Sequence, residues 1–138
     1  MIKLLNIYRQ DKEILKKNIK DIFRILKKSN FIIGNEVSNF ERDFSKFCGT
    51  RYCVSCNSGS DALFLSLKSL GLSKNSEVIL PAQTYVSTAF AVIRAGLKPV
   101  LIDIQSDNPT LNVDDLKNKI NKKTSAIIGV HLYGECAD

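Results

Sequence analysis

Apolar residues recur at Leu15, Ile19, Ile22 and Leu26, spaced four, three and four apart, within a stretch that is otherwise mostly polar. That period lays one apolar stripe along a helix from about Asp11 to Lys28, with a basic outer face. Two readings of the face stand: a solvated surface over a buried stripe, or a surface for phosphate backbones or acidic membranes. Neither aromatic interleaving nor a nucleic-acid motif supports the second. From Gly34 the pattern changes. Ser38 and Glu41 fit a capping box, and Phe40, Phe44 and Phe47 fall at helical spacing, which predicts a second helix ending near Phe47, before Gly49.

Beyond Gly49 short apolar runs alternate with helical patterns. Tyr52-Cys53-Val54-Ser55-Cys56 reads as a buried strand, Ser60 to Leu70 as a helix, and Glu77-Val78-Ile79-Leu80 as a strand stopped by Pro81. A helix from Val86 to Ala95, a strand Pro99 to Ile104, a helix Val113 to Ile120 capped by Asn112, and a strand Ser125 to Val130 follow. Four short strands separated by helices predict right-handed βαβ crossovers, a mainly parallel sheet and the α/β class. Ligands of such sheets bind beyond the carboxyl ends of the strands. The segments that matter are therefore those after Cys56, Leu80, Ile102 and Val130.

Composition changes this picture little. A chain of 138 residues buries about two-thirds of its unfolded surface, enough for a real core without disulfide staples. No run reaches the length of a membrane span, and Met1 to Tyr8 lacks the apolar core and cleavage site of a signal peptide, so a cytoplasmic protein with reduced cysteines is the expectation. The net charge of +6 is concentrated in the first helix.

Asn57-Ser58-Gly59-Ser60-Asp61-Ala62-Leu63 is a small-residue turn feeding a helix. Free N–H groups in the first turn and the positive end of the helix dipole suit a phosphate, with the Ser60 hydroxyl as a further donor. Ser58 and Asp61 could equally be a simple capping pair. The usual Gly-x-Gly-x-x-Gly and Gly-x-x-x-x-Gly-Lys-Ser/Thr loops are absent, which disfavours a nucleotide-binding Rossmann domain. Tyr85, after the second strand, could cover a planar ligand or simply pack. Cys53 and Cys56 invite a zinc or redox reading with His131 and Cys136, but residues three apart on a strand point to opposite faces, so no metal site is expected.

Taken together, the segments resemble a known family. Phe31-Ile32-Ile33-Gly34-Asn35-Glu36-Val37-Ser38-Asn39-Phe40-Glu41, Ser58-Gly59-Ser60-Asp61-Ala62-Leu63, Glu77-Val78-Ile79-Leu80-Pro81-Ala82-Gln83-Thr84-Tyr85 and Val130-His131-Leu132-Tyr133-Gly134 are similar, in order and spacing, to the N-terminal part of the DegT/DnrJ/EryC1/StrS sugar aminotransferases. These are fold-type I pyridoxal-phosphate enzymes. The resemblance implies an incomplete three-layer large domain over residues 31–138, preceded by a helical segment over 1–30.

It further implies that Gly59, Ser60 and Asp61 hold the phosphate of pyridoxal 5'-phosphate, with Ser60 replacing a commoner threonine. Tyr85 would stack on the pyridine ring, and the Gly34 to Phe40 loop would lie near an active site shared between two subunits of a homodimer. His131 would either hydrogen-bond toward the partner of the pyridine nitrogen or serve packing. The implied reaction is transamination of a nucleotide-linked keto-sugar, with glutamate or glutamine as donor. In the family the Schiff-base lysine and the acidic cofactor ligand come after the His-x-x-Gly. No residue of this chain is expected to be catalytic in their place, and Asp138 is not that acid. The expectation is a truncated, split or fragmentary gene product that is inactive alone. Alternatives are a pyridoxamine-phosphate-dependent sugar dehydratase of the same family, or a non-catalytic remnant or binding module.

Overall fold

A computed structural model describes residues 6–29 and 31–138. The expected 1–30 segment therefore lies partly outside the described residues. The chain divides into two compact units, Met1–Ser55 and Cys56–Asp138.

The first unit is helical. Helix α1, Ile7–Lys28, opens with Asn6 accepting from the N–H of Arg9 and closes on Ser29 in the left-handed region. Its stripe is not buried: Leu15, Ile19, Ile22 and Leu26 are all about half exposed, so the basic face is solvated and the apolar one has no cover among the described residues. Helix α2, Asn35–Cys48, begins three residues before the predicted cap. Gly34 is its N-cap, without a side-chain bond, and Gly49 closes it at φ +67°. Ser38 consequently lies inside the helix. The capping box fails because the helix starts earlier, the Ser38 N–H already donating to the Gly34 carbonyl, and Glu41 instead accepts from the N–H and hydroxyl of Ser55 at 2.7 and 2.8 Å. Phe40 and Phe44 stack at 5.4 Å on an exposed face.

The predicted strand over Tyr52 to Cys56 does not form, and Tyr52 and Val54 are exposed. A strand needs a ladder partner for its backbone groups, and this segment pairs with none of the three strands that do form. The argument from strand geometry against a Cys53–Cys56 metal pair therefore no longer applies. Among the described residues, however, no three His, Cys, Asp or Glu side chains converge on a metal position.

The second unit holds the sheet. Strands β1 (Glu77–Pro81), β2 (Lys98–Ile102) and β3 (Thr124–Ile127) are all parallel, in the order β2-β1-β3. Helices α3 (Gly59–Ser69), α4 (Ser87–Arg94) and α5 (Val113–Lys119) match the predicted helices within a residue. Asn112 caps α5 as expected, accepting from the N–H groups of Asp114 and Asp115.

The core follows from the pleat of β1. Val78 and Leu80 face one way, against Leu67 of α3 and Ala91 and Val92 of α4; Ile79 faces the other, against Ile102, Leu111 and, from α5, Leu116. This makes three layers, with the central strand buried along its whole length. The outer strands are half open, Leu101 and Ile127 being exposed at 50% and 46%.

Glu77, buried at the start of β1, is held by Asn121 at 2.9 Å and Lys98 at 3.1 Å. These bonds, Asn121 first, keep its carboxyl below the usual range, and the Ser55 bonds do the same for Glu41. A carboxylate with a lowered folded pKa stabilises the protein above its unfolded value, and that contribution disappears as pH falls through the folded value. Thermal melts should therefore hold steady through mildly acidic pH and fall below the ordinary carboxylate range. Glu77→Gln should flatten that fall.

Candidate cofactor-phosphate site

The sheet order places a switch point between β1 and β3, because the chain leaves β1 for β2 on one side and returns to β3 on the other. Tyr85 follows the carboxyl end of β1 and His131 that of β3. The α3 N-terminus joins this edge through a hydroxyl pair, Ser60 Oγ donating to Ser87 Oγ at 2.9 Å. Ser60 is the second residue of α3 and Ser87 the first of α4, so two helix N-termini converge.

Within the α3 turn the donors are divided. Ser58 is the N-cap, accepting from the N–H of Asp61 at 3.2 Å, while its carbonyl takes the N–H of Ala62. The capping-pair alternative is thus real, yet it uses only part of the turn. Gly59 and Ser60 keep the N–H groups that a helix cannot bond internally. A Cβ placed on Gly59 would meet nothing within 4 Å, and its φ is not in the left-handed region. The fold does not require glycine there, and a glycine at this point leaves room for a ligand to approach the backbone closely.

The charge at this turn is balanced. Asp61 forms an ion pair with Arg94 at the end of α4, and the guanidinium lies over the Phe64 ring at 4.1 Å. The Arg94 bond is the main reason the Asp61 carboxyl sits below its ordinary range, with hydrogen bonds from Asn57 and Ser58 assisting against partial desolvation. Tyr85 is 75% exposed, its ring open to solvent, and its carbonyl accepts the N–H of Thr88. Thr84 and Thr88 on either side of it in sequence share a hydroxyl bond at 2.9 Å.

His131 stands apart from these bonds. Its Nδ1 accepts the N–H of Ala137 at 2.9 Å, which puts the proton of the neutral ring on Nε2. The sequence pattern alone does not single out Ser87 or Arg94. A hydroxyl at the first position of a predicted helix was the available signal for Ser87; nothing in the sequence pairs Arg94 with Asp61.

An N-terminal pair of free N–H groups, a hydroxyl, and an exposed aromatic at the switch point suit a phosphorylated planar ligand, and the donor set fits pyridoxal 5'-phosphate. Comparison with known proteins defines the class. Residues 12–138 match the model of the DegT/DnrJ/EryC1/StrS aminotransferase family, and the chain belongs to that family. It is 40% identical, over its whole length, to a UDP-2-acetamido-2-deoxy-3-oxo-D-glucuronate aminotransferase of Pseudomonas aeruginosa, of which it covers 38%. The crystal structure of S. venezuelae DesV superposes with a TM-score of 0.93 at 35% identity, covering 99% of this chain and 37% of that one. An E. coli GDP-4-keto-6-deoxy-D-mannose-3-dehydratase with bound hydrated PLP gives 0.79 at 30% identity, covering 85% and 32%. The fold is that of the fold-type I pyridoxal-phosphate enzymes. The chain thus spans under two-fifths of the length of the relatives it matches.

Proposed function

We propose that this chain supplies the phosphate-holding part of an enzyme that transfers an amino group from glutamate or glutamine to a nucleotide-linked keto-sugar. The observation that carries the reading is the pairing of Ser60 with Ser87, which closes the α3 turn against the edge where Tyr85 stands. Gly59 and Ser60 would hold the cofactor phosphate through N–H groups and through the Ser60 hydroxyl, whose one proton would turn from Ser87 to the ligand, with Asp61 setting the charge of the turn. Tyr85 would cover the ring, and His131 would donate from Nε2 beside it. When bound, pyridoxal 5'-phosphate supplies the electron sink that amino transfer needs. The chain's own residues bind it, orient it and exclude water from one face.

An aminotransferase is favoured over a dehydratase by the Pseudomonas relative. A large-domain role for residues 31–138 after a helical segment, and assembly as a cytoplasmic homodimer in surface-polysaccharide or amino-sugar synthesis, belong to the same reading. The exposed apolar faces of α1 and α2 support an assembly of that kind.

The lysines of the second unit lie away from this edge or are engaged. Lys98 pairs with Glu77, Lys117 with Asp114, and Lys119 donates to the Leu101 carbonyl; Lys74, Lys122 and Lys123 line a groove at the amino ends of β1 and β3, and Lys68 ends α3. The 138-residue chain should therefore bind pyridoxamine 5'-phosphate saturably but turn over no keto-sugar with glutamate. Failure of the folded chain to bind pyridoxamine 5'-phosphate would overturn the reading.

A further inference from the structure

Asp61 presents a difficulty for any phosphate site on α3. A carboxylate in the first turn is favourable to the helix dipole, but it has the same sign as a dianion bound to that turn, and two like charges at short range repel. The structure answers with Arg94. Side chains on a helix lean toward its N-terminus, so Arg94, the last residue of α4, reaches back to the α3 turn. There its guanidinium pairs with Asp61 and is steadied by the face of Phe64. Asp61 in turn accepts from the Ser58 hydroxyl at 3.3 Å, so the same carboxylate is tied to the N-cap of the helix.

We infer that Arg94 is a positioning residue for the cofactor phosphate, cancelling the Asp61 charge and fixing the turn that offers the Gly59 and Ser60 N–H groups. This rests on the proposed phosphate site. Arg94 makes no direct contact with the phosphate in this account; it acts through Asp61. The pairing is partly solvent-exposed, with Arg94 59% and Asp61 22% accessible, so its effect is moderate and screened by salt.

The test is the affinity of the full chain for pyridoxamine 5'-phosphate, which cannot form an imine with surface lysines, measured by calorimetry. Arg94→Met should weaken binding about tenfold at low salt, and the loss should shrink as salt is raised. Arg94→Lys should keep most of the affinity. The double variant Arg94→Met with Asp61→Asn should recover binding to within about threefold of the unsubstituted chain, because the repelling charge has gone with its partner. A merely structural role predicts a double variant no better than Arg94→Met. That outcome, or unchanged affinity in Arg94→Met, would overturn the inference while leaving the site intact. No binding by the unsubstituted chain would overturn the site itself and the inference with it.

Discussion

Replacing Ile79 with alanine is expected to lower the stability of the chain by about 2–5 kcal/mol, the usual cost of emptying a fully buried aliphatic position. Ile79 has no exposed surface and sits at the middle of β1, the only strand among the described residues with neighbours on both sides. Its side chain joins β1 to Ile102 of β2 and to Leu111, so the cavity would open between the sheet and the layer that carries α5. Small domains have roughly 5–15 kcal/mol to lose, and this one has half-open edge strands, so the variant should be largely unfolded at moderate temperature. Leu101→Ala, on the exposed edge strand, should change stability by less than about 0.5 kcal/mol. Urea unfolding followed by circular dichroism compares the two. Equal, small effects would mean that β1 is not the centre of the core.

The second large effect is expected in binding, with no loss of folding. Gly59 has no left-handed φ and no neighbour that a methyl group would strike, so Gly59→Ala should melt at or slightly above the temperature of the unsubstituted chain. Its affinity for pyridoxamine 5'-phosphate should nevertheless fall at least about tenfold, because a Cβ beside the free N–H groups keeps a phosphate from approaching the backbone. Ser60→Ala should weaken binding to a similar extent. A hydrogen bond to a charged group is worth about 1.5–3 kcal/mol, and that substitution also releases Ser87. Calorimetric titration alongside a thermal melt separates the two properties. A Gly59→Ala chain that binds normally would show that the glycine has no ligand to make room for.

The fold was legible where local and tertiary preferences agree. β1, α3, α4 and α5 carry clear periodicity, caps or stops, such as Asn112 for α5, and the structure places them within a residue of expectation. The misses share a physical cause: each depended on a partner that local sequence cannot specify. Tyr52 to Cys56 has strand composition but pairs with no strand among the described residues. Glu41 has the spacing of a capping residue, but Ser55 offers it two donors fourteen residues away. The α1 stripe has the period of a buried face, yet nothing among the described residues covers it.

The site shows the same division. Gly59, Ser60 and Tyr85 are candidates visible in sequence, because a small-residue turn ahead of a helix, or an aromatic after a strand end, carries a local signal. Ser87 and Arg94 are not, because their importance lies in contacts with residues 27 and 33 positions away.

The most direct test of the central claim is a map of where pyridoxamine 5'-phosphate touches the chain, read from backbone amide chemical shifts during a titration of the full protein. Saturable shifts concentrated at Gly59, Ser60, Tyr85 and Ser87 are expected. Shifts confined to the lysine groove at Lys74, Lys122 and Lys123, with none at the α3 turn, would contradict that claim.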